Sequence, residues 1–171
     1  MNETFHIRDA REDERGALRD LSLAAYEQYA TIMAPTAWAG LRQAIQGALD
    51  ASGPAERIVA AAPDGTLLGS VLLFPPARGE PSAGGRMVWP ELRVLAVAAQ
   101  ARSQGVGEAL VQECARRARA AGFPALGLYT SESMREAVRL YERLGFQRVP
   151  EHDFRPPGAE LIKAYRLELE A

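Results

Sequence analysis

The chain has 171 residues, 47% of them hydrophobic and 25% charged, the size and balance of one soluble globular domain spanning 1–171. Twenty Lys+Arg against 22 Asp+Glu leave a net charge of −2, which excludes the strongly basic footprint of a nucleic-acid binder, although Arg116, Arg117 and Arg119 cluster. The single cysteine, Cys114, excludes an internal disulfide and a multi-cysteine zinc site, and no metal site is expected. Met1 to Asp13 is charged and has no apolar run, unlike a signal peptide. No stretch approaches the roughly 18 apolar residues of a membrane helix. The expected location is the cytoplasm, with no membrane partner.

Phe5 to Arg8 alternates and reads as a first strand. A helix is expected from Asp13 to Ala30, because Leu18, Leu21, Ala25 and Tyr29 recur at helical spacing. Pro35-Thr36 opens a second helix with Trp38, Leu41, Ile45 and Leu49 inward, and Ser52-Gly53-Pro54 stops it. Arg57–Ala62 and Leu67–Phe74 flank the turn signal Pro63-Asp64-Gly65 and read as a hairpin. Pro75 to Gly85 is a loop rich in Pro, Gly and Ser. Glu91 to Ala98 is a strand, with Leu92, Val94 and Ala96 expected on one face and Arg93, Leu95 and Val97 on the other.

Gly105 to Ala121 reads as a helix with Val106, Leu110, Cys114, Ala118 and Ala121 on one face, ended by Gly122. Pro124 to Thr130 is a strand. Ser131 or Ser133 is expected to cap a helix running to Leu144, with Met134, Ala137, Val138 and Tyr141 inward. Phe146–Val149 and Leu161–Leu169 complete a mixed, largely antiparallel α/β pattern. Lone His6 and His152 read as surface or packing residues, and Cys114 as a small core residue.

Chemistry concentrates at Arg102-Ser103-Gln104-Gly105-Val106-Gly107, where a strand passes through a glycine turn into a helix. The first N–H groups of a helix have no acceptor in the chain, and the helix dipole makes that end positive. Glycine lets an anion approach the backbone. A hydrogen bond to a charged group is worth roughly 1.5–3 kcal/mol. Three or four supply most of the roughly 8 kcal/mol that micromolar affinity requires. A P-loop would need Gly-Lys-Ser/Thr, and a dinucleotide fingerprint a third glycine where Leu110 stands.

Arg102-x-x-Gly105-x-Gly107 after Leu95-Ala96-Val97 resembles the coenzyme A motif of the GNAT superfamily of acyltransferases. Ala137-x-x-x-Tyr141 followed by Gly145-Phe146 resembles that superfamily's second motif, and Ile7-Arg8-x-Ala10 its opening. The resemblance covers most of the chain, and Glu91 to Phe146 most strongly. It implies a GNAT-like central sheet of about six to seven strands flanked by about four helices. One departure is Met134, three residues before Ala137, where the family often has an asparagine; Ser131 or Ser133 is a candidate substitute.

The resemblance implies an N-acetyltransferase that moves an acetyl group from acetyl-CoA to a primary amine by direct attack, the amine belonging to a small molecule or a protein. Backbone groups of Leu95, Ala96 and Val97 would hold the pantetheine arm, and Arg102, Ser103, Gln104, Gly105, Val106 and Gly107 the pyrophosphate. Tyr141 would contact the cofactor and meet the leaving thiolate. Glu91 is either the general base or a sheet-edge glutamate paired with Arg93. Tyr26, Tyr29 and Trp38, with Met33, would wall the acceptor pocket, and Glu151 to Arg155 would close over it. A homodimer is an assembly the resemblance allows. The alternative is a non-catalytic acyl-CoA-binding or sensing module; a dinucleotide-binding protein ranks third.

Overall fold

The computed structural model describes residues 4–76 and 87–170, so most of the expected Pro75–Gly85 loop lies outside the described residues. Seven strands form one sheet: β1 His6–Asp9, β2 Glu56–Ala61, β3 Leu67–Phe74, β4 Glu91–Val97, β5 Ala125–Ser131, β6 Gln147–Arg148 and β7 Ile162–Glu168. Their spatial order is β1-β2-β3-β4-β5-β7-β6, antiparallel throughout except between β4 and β5. Four helices flank it: α1 Arg15–Tyr26, α2 Pro35–Asp50, α3 Val106–Ala120 and α4 Arg135–Arg143. This is the mixed, largely antiparallel sheet expected from the sequence.

The β2–β3 hairpin turns where Pro63-Asp64-Gly65 predicts it. Gly65 takes φ 91°, a region glycine enters freely, and the Asp64 carboxylate accepts the Thr66 N–H at 3.0 Å. Helix ends differ from expectation in two places. The first helix is α-helical only over Arg15–Tyr26 and tightens into 3₁₀ turns at Glu12–Glu14 and Glu27–Thr31. Neither Ser131 nor Ser133 caps α4. Met134 occupies the capping position without a side-chain bond, Ser131 belongs to β5, and the Ser133 hydroxyl donates to Glu160 instead.

Two larger cores form, one on each sheet face, and a smaller cluster gathers Met87, Val149 and Ala164. Leu18 of α1 and Ile45 and Leu49 of α2 pack on Val59 and Leu72. On the other face Leu110 and Cys114 of α3 and Tyr141 of α4 pack with Leu126, Leu128 and Phe146. Of the helical faces read from the sequence, Leu18, Ala25, Tyr29, Ile45, Leu49, Val106, Leu110, Cys114, Ala118 and Tyr141 are buried, whereas Leu21, Trp38, Leu41, Met134, Ala137 and Val138 are half-buried and Ala121 is exposed.

Gly69 of β3 sets how closely α3 approaches. A Cβ there would lie 2.7 Å from Val106 Cγ1 and 3.0 Å from the Ala96 carbonyl oxygen. A methyl group must displace either the first residue of α3 or the β4 backbone. At the opposite edge, Glu14 clamps the start of α1 to β1. Its carboxylate accepts from both Arg8 guanidinium nitrogens at 2.7 and 2.9 Å and from the Arg11 N–H at 2.8 Å. The Arg8 bonds hold the Glu14 carboxyl at about 2 against the opposing effect of burial, and the Arg11 N–H helps.

Gly69→Ala is expected to cost about 1–3 kcal/mol, read as a Tm lower by several degrees in thermal unfolding. Because the Glu14 carboxyl sits below its ordinary 4.5, its contribution is complete above that pH and is lost as pH falls toward 2. The unfolding free energy should therefore drop across that window, and Glu14→Gln should make the drop shallower in urea titrations at graded pH.

Candidate active site

The site begins where two parallel strands part. β4 and β5 share one register pair, Glu91 with Gly127, and none beyond it. Opposite β3, β4 carries an extra residue: Ser70 pairs with Ala96 but Leu72 pairs with Arg93. This is a β-bulge, and Val94 bends it with φ 54°. A β-branched residue in that region costs about 1–3 kcal/mol. Val94 and Leu95 have no register partner on β3.

The bulge corrects the expected strand faces. Leu92, Leu95 and Val97 all pack into the α3 core, while Val94 packs with the α1–α2 core. Strict alternation places Leu92 with Val94; the inserted residue shifts the phase between them.

The parted strands open a cleft of about 400 Å³. Its floor is β4 from Leu92 to Val97, and one end is the turn into α3, contributing Arg102, Ser103, Gly105, Val106 and Gly107. Ser103 and Gly105 take φ 63° and 81°, which folds the turn back so that Gly105 caps α3. The first intrahelical donor to Gly105 is the Ala109 N–H, so the N–H groups of Val106, Gly107 and Glu108 have no helical acceptor. Of the expected run Arg102 to Gly107, Gln104 alone does not line the cleft; its amide donates to the Gln100 carbonyl.

Tyr141 of α4 is buried and lines the cleft, as do Tyr26 and Tyr29, whose ring centroids are 5.7 Å apart. Burial raises the Tyr141 phenol well above its usual range, and the neighbouring Tyr26 and Tyr29 add to it. Burial likewise raises Tyr26. These are neutral hydrogen-bond donors at physiological pH, not acids. Met134 lines the cleft, and its sulfur accepts from the Thr130 hydroxyl at 3.5 Å. The Cys114 thiol is buried in the α3 core and pushed up to about 12 by burial, which removes it as a nucleophile.

A second cavity of about 500 Å³ adjoins the first. The two share Tyr26, Arg93, Val94, Tyr129, Thr130 and Met134 along their border. One wall is the small-residue face of α2, Ala37, Gly40, Leu41, Ala44 and Ala48; another is the segment from Phe154 to Ile162. Phe154 packs edge-on against Tyr129, with centroids 5.3 Å apart. Met33 lines this cavity, whereas Trp38 is half-buried and lines neither. His152 packs edge-on against Trp89, away from both cavities. The α2 face was missed in the sequence because its small residues carry no chemistry; their i, i+3, i+4 spacing was the available signal.

Glu91 lines the second cavity, not the cleft, and is buried. Both its oxygens accept from Arg93, at 2.8 and 3.1 Å, and the guanidinium also lies 4.7 Å from the Phe74 ring centre. Of the two readings of this glutamate, pairing with Arg93 is the arrangement present. Among the described residues, no group of three or more His, Cys, Asp or Glu is placed to hold a metal ion, and no helix is long and apolar enough to cross a membrane.

The model of the acetyltransferase (GNAT) family matches residues 16–146. A mycothiol acetyltransferase from Arthrobacter sp. (strain FB24) is 35% identical over 95 residues, 56% of this chain. The match spans only 28% of that protein's length. The fold is shared with a GNAT-family acetyltransferase from Staphylococcus aureus Mu50, at a TM-score of 0.73 and 14% identity over 97% of this chain and 99% of that one. It is also shared with a GNAT-family acetyltransferase from Brucella melitensis solved with acetyl-CoA, at a TM-score of 0.61 and 20% identity over 98% and 89% of the two chains.

Arg93→Ala would leave the Glu91 carboxylate buried without its donor. A loss of about 2 kcal/mol is expected in chemical denaturation, with most of it recovered by adding Glu91→Gln, which removes the orphaned charge.

Proposed function

Because the chain belongs to the acetyltransferase (GNAT) family, we propose that it transfers an acetyl group from acetyl-CoA to a primary amine by direct attack. The observation that carries this reading is a single cleft lined by three kinds of group at once. It holds the unpartnered N–H groups at the start of α3, the bulged backbone of Val94 and Leu95, and the Tyr141 phenol.

In this reading the pyrophosphate of acetyl-CoA sits on the α3 N-terminus, where free donors and the helix dipole favour an anion. The pantetheine arm runs along β4 from Val97 toward Leu95, using backbone groups that the parted β5 leaves open. The acceptor sheds a proton and reaches the thioester as a neutral amine through the border formed by Tyr26, Val94, Tyr129 and Thr130. Its nitrogen bonds to the thioester carbon, and the C–S bond then breaks to release the thiolate. Tyr141 donates a hydrogen bond to that sulfur. A phenol held above its usual pKa is a poor proton donor to a thiolate that titrates near 8.5. Its contribution is therefore stabilisation of developing charge. Glu91 faces the acceptor cavity and takes the amine proton only as the Arg93 contact loosens.

A cytoplasmic location belongs to the same reading, supported by a lone, buried, free thiol. Met134 favours a second reading, a non-catalytic acyl-CoA-binding module, because it replaces a frequent polar contact with a thioether engaged by Thr130.

Thiol release from acetyl-CoA with a panel of primary amines separates the two. Turnover with at least one amine is expected, and Tyr141→Phe should lower kcat by about 10²-fold while the Kd for acetyl-CoA measured by calorimetry stays near wild type. Binding of acetyl-CoA without turnover on any amine would favour the module.

A further inference from the structure

The second cavity has a chemical asymmetry that the transfer reaction does not explain. Its α2 wall is hydrocarbon, yet the opposite wall ends in two buried polar atoms with no hydrogen-bond partner: Ser131 Oγ and Glu160 Oε2. Ser131 is only 2% exposed. The two belong to one corner. Ser131 ends β5 in register with Ile162, two residues after Glu160, and the Ser133 hydroxyl donates to the other Glu160 oxygen. The two orphaned atoms do not satisfy one another.

The ion pairs around this corner leave Glu160 out. Glu91 is neutralised by Arg93 and Lys163 pairs with Glu132, while the exposed Arg155 guanidinium keeps its charge and donates to the Ala159 carbonyl. Among the described residues no cation pairs with Glu160. Among the described residues that line the cavity it is the uncompensated charge, and its free oxygen can only accept. A buried carboxylate oxygen without a donor is costly, and natural interiors leave few such groups without a reason. The group that fits is a hydrogen-bond donor carrying positive charge. The volume, about 500 Å³, suits a small molecule.

We propose that Glu160 and Ser131 form an ammonium-binding subsite, so that the acceptor is a small amine with an apolar body lying on α2 and a cationic group held by these two residues. This rests on the reading of the second cavity as the acceptor site. The apolar body contributes through the Ala37, Gly40 and Ala44 face, where the absence of long side chains leaves room for a ring or short hydrocarbon. Selectivity follows from the corner. An alcohol with the same body lacks the charge, and a carboxylate meets Glu160 with the wrong sign.

The test uses three probes with one body, 2-phenylethylamine, 2-phenylethanol and 3-phenylpropanoate, titrated into the full chain near neutral pH. The amine is expected to bind at least tenfold more tightly than either of the others. Glu160→Gln and Ser131→Ala should each weaken the amine at least fivefold and leave 2-phenylethanol and acetyl-CoA binding unchanged. Glu160→Asp should retain part of the preference. Ser131→Ala guards against a folding artefact: it deletes a hydroxyl that bonds to nothing, so its Tm should equal or exceed wild type. Gly40→Leu, which fills the α2 wall, should weaken all three probes. Equal affinity for the three probes, no binding of any, or an amine preference that survives both Glu160→Gln and Ser131→Ala would overturn the subsite. Failure of acetyl-CoA to bind would instead overturn the transfer reading, and the amine titrations would still decide the subsite.

Discussion

The parting of β4 from β5 is the constraint on which the rest of the molecule depends. A parallel pair normally continues its ladder along both strands, which would close the sheet and leave no backbone for a ligand. Here the ladder holds at Glu91 and Gly127 and then ends. The bulge at Val94 and Leu95 turns β4 away at that point, and β7 takes the other edge of β5 through seven consecutive register pairs. The sheet thus stays continuous at one end and splits at the other. Backbone strain at Val94 is the local cost, offset by packing its side chain into the α1–α2 core.

Both cavities follow from that split. The cleft on the α3 side receives the turn of Arg102 to Gly107 because Gly69 lets α3 lie close to β3 and β4. The cavity on the α2 side exists because α2 presents small residues where larger ones would fill the gap. They meet along Tyr26, Val94, Tyr129 and Thr130, so in the proposed reaction the anionic co-substrate and the amine would approach from opposite sides. The polarity is arranged accordingly. Unpartnered backbone donors face one compartment, and carboxylates from Glu91 and Glu160 face the other.

Electrostatics inside the site is dominated by burial. Tyr141, Tyr26 and Cys114 are all pushed toward their neutral forms by desolvation. That leaves hydrogen bonding rather than proton donation as what the tyrosines offer. Glu14 and Glu113 run the other way, because arginine hydrogen bonds hold each at about 2. These ionised carboxylates serve as structural ties outside both cavities, while the charges that line the cleft come from Arg93, Arg102, Glu108, Glu136 and Arg143.

Local signals determined a good deal without coordinates. Helical spacing marked Leu18, Ile45, Leu110 and Tyr141 as buried, and a glycine turn between a strand and a helix marked one end of the cleft. These are features of neighbouring residues, and neighbours in sequence are neighbours in space. The bulge was not legible, because Leu92 to Val97 reads as ordinary alternation and the extra residue appears only against β3. Glu91 fits two roles by sequence, and its pairing through both oxygens with Arg93 is visible only in the fold. Trp38 looked like a wall residue, yet the turn of α2 presents Ala37, Gly40 and Ala44 to the cavity instead. Glu160 and Ser131 are 29 positions apart in the numbering and share a corner only because β5 and β7 pair. The sequence by itself determined the elements and the glycine turn that lines the cleft. Tertiary structure decided which strand bends, which carboxylate is paired and which is left open, because those outcomes depend on contacts between segments distant along the chain.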